Sequence, residues 1–379
     1  MKPDLIVVGG GIIGCSAAAF AAEQGASVVL LEATAIGAGA SGRNSGAVQY
    51  PFDAILAELH VKTVEQYRAL ATAYPDFSFP AQPVGLLLLT DDLAAAHDRA
   101  DELTRDAPHL APRVLTGAEL TEAEPSLAPD LTAVRLETGY PTLPDAATTA
   151  MARRAGDAGA EIRVGTAVAA IRSEVGHGVR VTLTDGTSLD AGAVLIAAGP
   201  WSPPLVDASG AWQPLRPTHG VTVQVALHPA PRHVLEEGVV HTVNRPVELG
   251  EGGADLATTF SLMTAGSTST VGSTFLATAP DPREVAPILV RRGARFVPAL
   301  RDATILRSRV CARPQSVDGR PFMGPWPGTD RLFVCVGHGP WGISTGPASA
   351  ALAVSAILEA DEDGIAPELR AGRELGLSA

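Results

Sequence analysis

The sequence predicts an α/β protein built around a Rossmann-like nucleotide-binding domain, and three separated stretches carry that expectation. The N-terminal run LIVVGGGIIGCSAAAFAAEQGASVVLLEA reads as a short buried strand, a glycine turn, a helix of small residues and a second buried strand ending in an acid. The run GAEIRVGTAVAAIRSEVGHGVRVTLTDGTSLDAGAVLIAAGPWS reads as a strand, a hairpin turning near Gly176 and Gly178, a turn at Asp185-Gly186 and a buried strand into Gly199. In LFVCVGHGPWGISTGPASAALAVSAILEA a buried strand meets a glycine loop, and a helix is expected to begin near Pro347, which suits a first helical position.

Within the first unit each glycine has a separate task. Gly9 permits the tight turn, Gly11 lets a pyrophosphate approach the backbone at the helix N-terminus, and Gly14 lets helix and strand pack closely. Glu32, ending the second strand, is placed to accept hydrogen bonds from a ribose diol. After Glu32 comes AIGAGASGRNSGAVQ, a long loop of small residues where a nicotinamide-binding unit usually proceeds to its next helix. Such a loop can lie along an extended cofactor, which favours flavin.

Composition narrows the function classes. The chain has 379 residues, 46% hydrophobic and 18% charged, enough for a sizeable core and for two lobes. No charged leader precedes an apolar run and no unbroken apolar stretch reaches membrane length, so a cytoplasmic protein without a membrane span is expected. Cys15, Cys311 and Cys335 lack CxxC spacing and the nine histidines form no tight pair, which argues against a disulfide framework and a metal site. A net charge of -13 without a basic stripe argues against a nucleic-acid partner. Only Lys2 and Lys62 are lysines, so arginine carries nearly all the positive charge.

The motifs GGGIIG (9–14) with Glu32, GASGRNSG (39–46), VLIAAGPWS (194–202), RPQSVDGRPFMG (313–324) and VGHGPWGISTGP (336–347) together are similar to those of one family. The chain resembles the FAD-dependent amine and amino-acid oxidoreductases, which include D-amino-acid oxidase, glycine oxidase and monomeric sarcosine oxidase. The resemblance implies a GR2-type FAD-binding domain, residues 1–49, 141–210 and 306–379, with an interleaved α+β substrate domain, residues 50–140 and 211–305, on a mixed sheet. Within the latter, GVTVQVAL and TSTVGSTF look like strands.

By the same resemblance, the backbone of Val168 contacts the adenine end of FAD, and Ser41, Arg43, Asn44 and Ser45 lie near the pyrophosphate and flavin. For Ser41 and Ser45, turn residues with local hydrogen bonds are nearly as good a reading. Arg43, inside a loop of small residues, is costly to bury without an anionic partner. Gly337, Gly339 and Gly342 let the C-terminal loop pass close to the flavin, and the helix that follows, carrying Ile343, aims its positive end at the pyrimidine ring.

Arg313 resembles the arginine of a GxRP turn that clamps the substrate carboxylate in glycine and D-amino-acid oxidases; its alternative is a salt bridge to Asp318. Glycine oxidase carries a second arginine where this chain has Pro340, and sarcosine oxidase a lysine near the place of Trp341. Trp341 is a candidate to stack on an apolar substituent or to be plain packing, and His338 a site residue or a strand-end histidine. His219 and His241 are more often core or surface residues than bases. Aligned through Asp318, Cys311 falls on the cysteine that binds flavin covalently in sarcosine oxidase, and Arg309 and Arg313 beside it are expected to lower its thiol pKa. The alternative is a buried cysteine acting as a small hydrophobe.

The implied chemistry is oxidation of a C–N bond of an amino acid or secondary amine by hydride transfer to flavin, giving an imine that hydrolyses, with O2 as acceptor and H2O2 as product. The alternatives are an amine dehydrogenase using another acceptor, a flavin monooxygenase, or a flavoprotein without enzymatic activity.

Overall fold

The structure is a computed structural model and describes residues 2–174, 178–238, 258–329 and 331–375. Gly176, at the expected hairpin tip, and His241 lie outside the described residues.

The strands Leu5–Val8 and Val28–Glu32 pair in parallel, joined by the helix Ile12–Glu23. One face of these strands packs on helices and the other on Val179, Val181 and Leu183, so both faces are buried and the strands read as unbroken apolar runs. A Cβ at Gly14 would lie 1.9 Å from the carbonyl oxygen of Gly9, so the helix reaches the turn only with glycine there. Four more strands complete a six-stranded sheet in the order Phe322–Pro325, Leu332–Val336, Ala193–Ile196, Leu5–Val8, Val28–Glu32, Glu161–Val164. All neighbours in it are parallel except the first pair. Val168–Glu174, Gly178–Leu183 and Ser188–Ala191 form an antiparallel sheet beside it. Its expected turn at Gly186 is closed by the Asp185 carboxylate, which accepts from the Thr187 amide at 2.9 Å.

The C-terminal helix differs from expectation. It runs Gly342–Leu358, so Pro347 lies inside it rather than at its start. An internal proline leaves the carbonyl four residues earlier without its amide donor. Here that carbonyl, of Ile343, accepts from the Tyr67 hydroxyl at 3.0 Å instead. Tyr67 is fully buried on the helix Ala54–Ala73. The segment Gly339–Leu358 has the length and apolarity of a membrane span, but it packs with Ile12–Glu23 and Ala54–Ala73 in one core. Thus residues 54–73, placed by resemblance in the substrate domain, contribute Leu56, Leu59 and Leu70 to the core beneath the cofactor-domain helices.

The second sheet is mixed and eight-stranded: Ile305–Ser316, Leu215–Val225, Thr268–Thr274, Thr258–Ala265, Val234–Glu237, Leu86–Thr90, Thr132–Leu136, Arg113–Thr116. GVTVQVAL and TSTVGSTF fall in its second and third strands. The strand Ile305–Ser316 crosses the expected boundary at 305/306 without a break, because it pairs along Leu215–Val225. One face of this sheet is apolar, with Val221, Val223, Leu235, Leu262 and Val271 in a core shared with the helix Pro282–Gly293. The other face meets the cofactor-side loop, where the Thr222 hydroxyl donates to the Arg43 carbonyl at 3.2 Å.

Removing the Tyr67 hydroxyl orphans a buried carbonyl, so Tyr67→Phe should cost about 1–3 kcal/mol of stability. Restoring the amide with Pro347→Ala should make the same substitution nearly neutral. A double-mutant cycle in denaturant melts measures the coupling.

Candidate active site

A cavity of about 830 Å³ opens at the carboxyl ends of the parallel strands, where Val8, Glu32, Ala197 and Val336 lead out of the six-stranded sheet. This is the usual ligand crevice of an open α/β sheet. Gly9 and Gly11 form one wall, which is bare of side chains, and the helix Ile12–Glu23 starts behind it. Glu32, Ser41, Arg43, Asn44, Val168, Arg313, His338, Gly339, Gly342 and Ile343 also line the cavity. Gly14, Ser45, Cys311, Gly337 and Trp341 do not.

Several lining groups first shape the protein itself. The Ser41 hydroxyl accepts from the Ile12 amide at 2.9 Å and so caps the helix. Asn44 donates to the Ala40 carbonyl and accepts from the Gly46 amide, fixing the loop. The Glu32 carboxylate accepts from the Gly10 amide at 2.7 Å and from the Thr34 amide at 2.8 Å, which sets the carboxylate at the cavity edge. Arg43 is exposed at the rim rather than buried against an anion, and its guanidinium donates to the Val310 carbonyl at 3.4 Å.

Strand alternation puts Arg309, Cys311 and Arg313 on the cofactor-facing side of Ile305–Ser316. Arg309 is buried and donates to the carbonyls of Gly42 and Asn44 at 3.2 and 3.3 Å, tying the loop to the second sheet. Arg313 donates to the Thr274 carbonyl at 2.8 Å and to the Ser273 hydroxyl, and its guanidinium lies 4.8 Å from the Phe275 ring centroid. It crosses directly over Gly220, where a Cβ would meet a guanidinium nitrogen at 2.2 Å. The alternative partner, Asp318, is taken by Arg373 at 2.9 Å. Among the described residues no carboxylate pairs with Arg313.

His338 is 1% exposed, and neither ring nitrogen has a partner among the described residues. Burial lowers its pKa to about 3, so it is a neutral imidazole. Trp341 packs into the core with the helices, which favours its packing role. Cys311 corrects the expectation of an activated thiol: burial raises its pKa, and the opposing pull of Arg313, Arg309 and Arg43 does not prevail.

Two buried polar residues near the cavity, though not in its lining, escaped the sequence reading. Glu236 is 7% exposed, and one of its oxygens accepts from the Gln49 side-chain amide at 2.9 Å. Its other oxygen and the Gln49 carbonyl oxygen have no partner among the described residues. The available signal was the adjacent acids of VLEE within a strand: Glu237 faces the opposite way and pairs with Arg292 at 2.8 Å, leaving Glu236 inward.

The chain matches the family described as FAD dependent oxidoreductase over residues 4–356, and it belongs to that family. It is 30% identical over 369 residues to a glycine oxidase of Geobacillus kaustophilus, covering 93% of this chain and 92% of that protein. The crystal structure of glycine oxidase from that organism superposes with a TM-score of 0.82 at 25% identity, covering 99% of this chain and 100% of that one. The iminodiacetate oxidase of Chelativorans superposes with a TM-score of 0.77 at 22% identity, covering 94% and 95%.

The protein is therefore an FAD-dependent oxidoreductase, and its cavity fits the cofactor. The side-chain-free wall at Gly9 and Gly11 leaves room for a pyrophosphate at a helix N-terminus, and the Glu32 carboxylate lines the cavity at the end of the second strand, where a ribose diol of the cofactor would need an acceptor. Gly11→Val should remove FAD: a Cβ there already meets the Ser41 hydroxyl at 2.9 Å, and the larger side chain fills the wall. The purified variant should be colourless where wild type is yellow.

Burial raises the Glu236 pKa from 4.5 to about 7. The folded protein therefore holds this proton to higher pH than the unfolded chain, and the stabilisation present below 4.5 is lost as pH rises through about 7. That loss amounts to about 3 kcal/mol. Glu236→Gln should abolish this component, so its melting temperature should exceed that of wild type at mildly alkaline pH and converge with it in acid.

Proposed function

We propose that the protein oxidises the C–N bond of an amino acid or secondary amine, with Arg313 holding the substrate carboxylate. The observation that carries this reading is a buried arginine on the cavity wall with no carboxylate partner among the described residues. A buried guanidinium without an anion is costly, and a planar fork suits a carboxylate bound through two parallel hydrogen bonds. Glycine oxidase and iminodiacetate oxidase, to which the chain is similar, are both named for substrates that carry an amine and a carboxylate.

FAD, when bound, supplies the hydride acceptor, and the substrate leaves as an imine that hydrolyses in water. The protein's part is positioning. Arg313, fixed by Ser273, Thr274 and Phe275, sets the substrate's carboxylate end and therefore the carbon beside the amine. His338 offers a neutral imidazole at the wall, which can donate or accept a hydrogen bond but adds no charge. The helix Gly342–Leu358 begins at the cavity, so its positive end favours negative charge developing there. Pro340 stands where glycine oxidase carries a second arginine, so among the described residues the carboxylate is assigned to Arg313.

O2 is the proposed acceptor. The lysines do not serve it: Lys62 pairs with Glu58 at 2.7 Å on the outer surface and Lys2 lies at the chain start. Arg43 at the rim is the cation available to stabilise charge passing to oxygen. An anaerobic panel of glycine, sarcosine, D-amino acids and simple amines should bleach the flavin with carboxylate-bearing amines and not with NADH. In air, H2O2 should form in proportion to amine consumed, whereas reduced flavin persisting for minutes would assign a dehydrogenase. Arg313→Lys should raise KM at least tenfold while FAD is retained, since an ammonium cannot reproduce the fork.

A further inference from the structure

We propose that Glu236 and Gln49 form the amine-binding end of the substrate site, so that the substrate is an α-amino acid spanning from this pair to Arg313. The proposal rests on the reading of Arg313 as the carboxylate anchor.

Register places both ends on one face. Glu236 stands opposite Ser261, Ser261 opposite Gly272, Gly272 opposite Thr222 and Thr222 opposite Arg309. Directly opposed residues share a face, and Arg313 shares the face of Arg309 by alternation. Thr222 and Arg309 contact the cofactor-side loop, so this is the face turned toward the cavity.

Between the two ends the sheet is paved with small residues. A Cβ on Gly272 would meet the Ser261 hydroxyl at 2.8 Å, and Gly220 carries the Arg313 guanidinium directly on its backbone. The Gln49–Glu236 pair lies behind the cavity lining rather than in it: the Gln49 backbone amide donates at 3.1 Å to the hydroxyl of Ser344, next to the lining residue Ile343.

The hydrogen-bonding needs of the two ends are opposite. At Gln49 and Glu236 two buried oxygens lack partners among the described residues, and above pH about 7, where Glu236 loses its proton, both are acceptors. At Arg313 several N–H groups converge without a carboxylate. Buried acceptors side by side call for a group with several donors, which an amine or ammonium is, and a carboxylate is all acceptor. No arginine or lysine among the described residues pairs with Glu236, whose one hydrogen-bond partner is Gln49.

The test compares FAD-loaded wild type, Glu236→Gln and Gln49→Leu. For each, KM is measured for the best amino acid from the panel. The Kd of propionate, which has a carboxylate and no amine, is read from the shift of the flavin spectrum. Measured at pH 8, where Glu236 is ionised, both variants should raise KM, Glu236→Gln at least tenfold, with propionate affinity within about twofold of wild type, the contrast expected for loss of a hydrogen bond to the amine alone. Arg313→Lys should weaken both ligands. An unchanged KM in Glu236→Gln, or equal weakening of propionate and amino acid, overturns the amine site and leaves the Arg313 reading standing. A wild-type flavin that no amino acid bleaches overturns the Arg313 reading and this site with it. If Glu236→Gln does not fold, Gln49→Leu carries the same comparison.

Discussion

The active-site cleft depends on one docking interaction, the buried Arg309 guanidinium against the carbonyls of Gly42 and Asn44. A cation this buried must find acceptors, and here its hydrogen bonds go to the loop that runs from the first cofactor unit. The strand carrying Arg309 belongs to the other sheet, so the contact fixes the distance between cofactor floor and substrate roof. Cys311 and Arg313 follow on the same face of that strand, and their depth in the cleft is set by the same dock. Thr222 adds a second tie to the same loop, through the Arg43 carbonyl.

Much of the fold was legible because its local rules are strong. The βαβ unit announces itself through glycines that sterics require and through strands buried on both faces, and GVTVQVAL and TSTVGSTF alternate as strands do. The start of the C-terminal helix was misjudged at Pro347, because the reading assumed that an internal proline breaks a helix. What rescues the helix is a hydroxyl from Tyr67, 276 residues away in sequence, which no local window contains. The thiol of Cys311 was misjudged for a related reason: neighbouring arginines are visible in sequence, but the desolvation that outweighs them is a property of the packed sheet.

The candidate site was legible where chemistry is unusual in sequence and illegible where it is made by pairing. Arg313 stands out in its turn, and the loop arginine and glycines do too. Gln49 and Glu236 look ordinary in the chain, being one amide after a short strand and one of two adjacent acids. Their meaning comes from register, which turns Glu236 inward and Glu237 outward to Arg292 and brings an amide from 187 residues upstream against the inward one. Buried polar atoms left without partners cost stability, which is why the pair stands out once the register is known.

The six-stranded sheet has a consequence for the order in which the protein can be made. Its neighbouring strands come from residues 5–8, 28–32, 161–164, 193–196, 322–325 and 332–336, so the first βαβ unit leaves the ribosome long before its flanking strand Ala193–Ile196 and the helix Gly342–Leu358 that covers it. Chains usually fold domain by domain as they emerge. This one must hold its glycine turn and first helix unfinished while the substrate sheet is synthesised, and that sheet in turn waits for Ile305–Ser316 as its edge. The cofactor crevice is built from both ends of the chain, and its lining is complete only once residues 336–343 have been made.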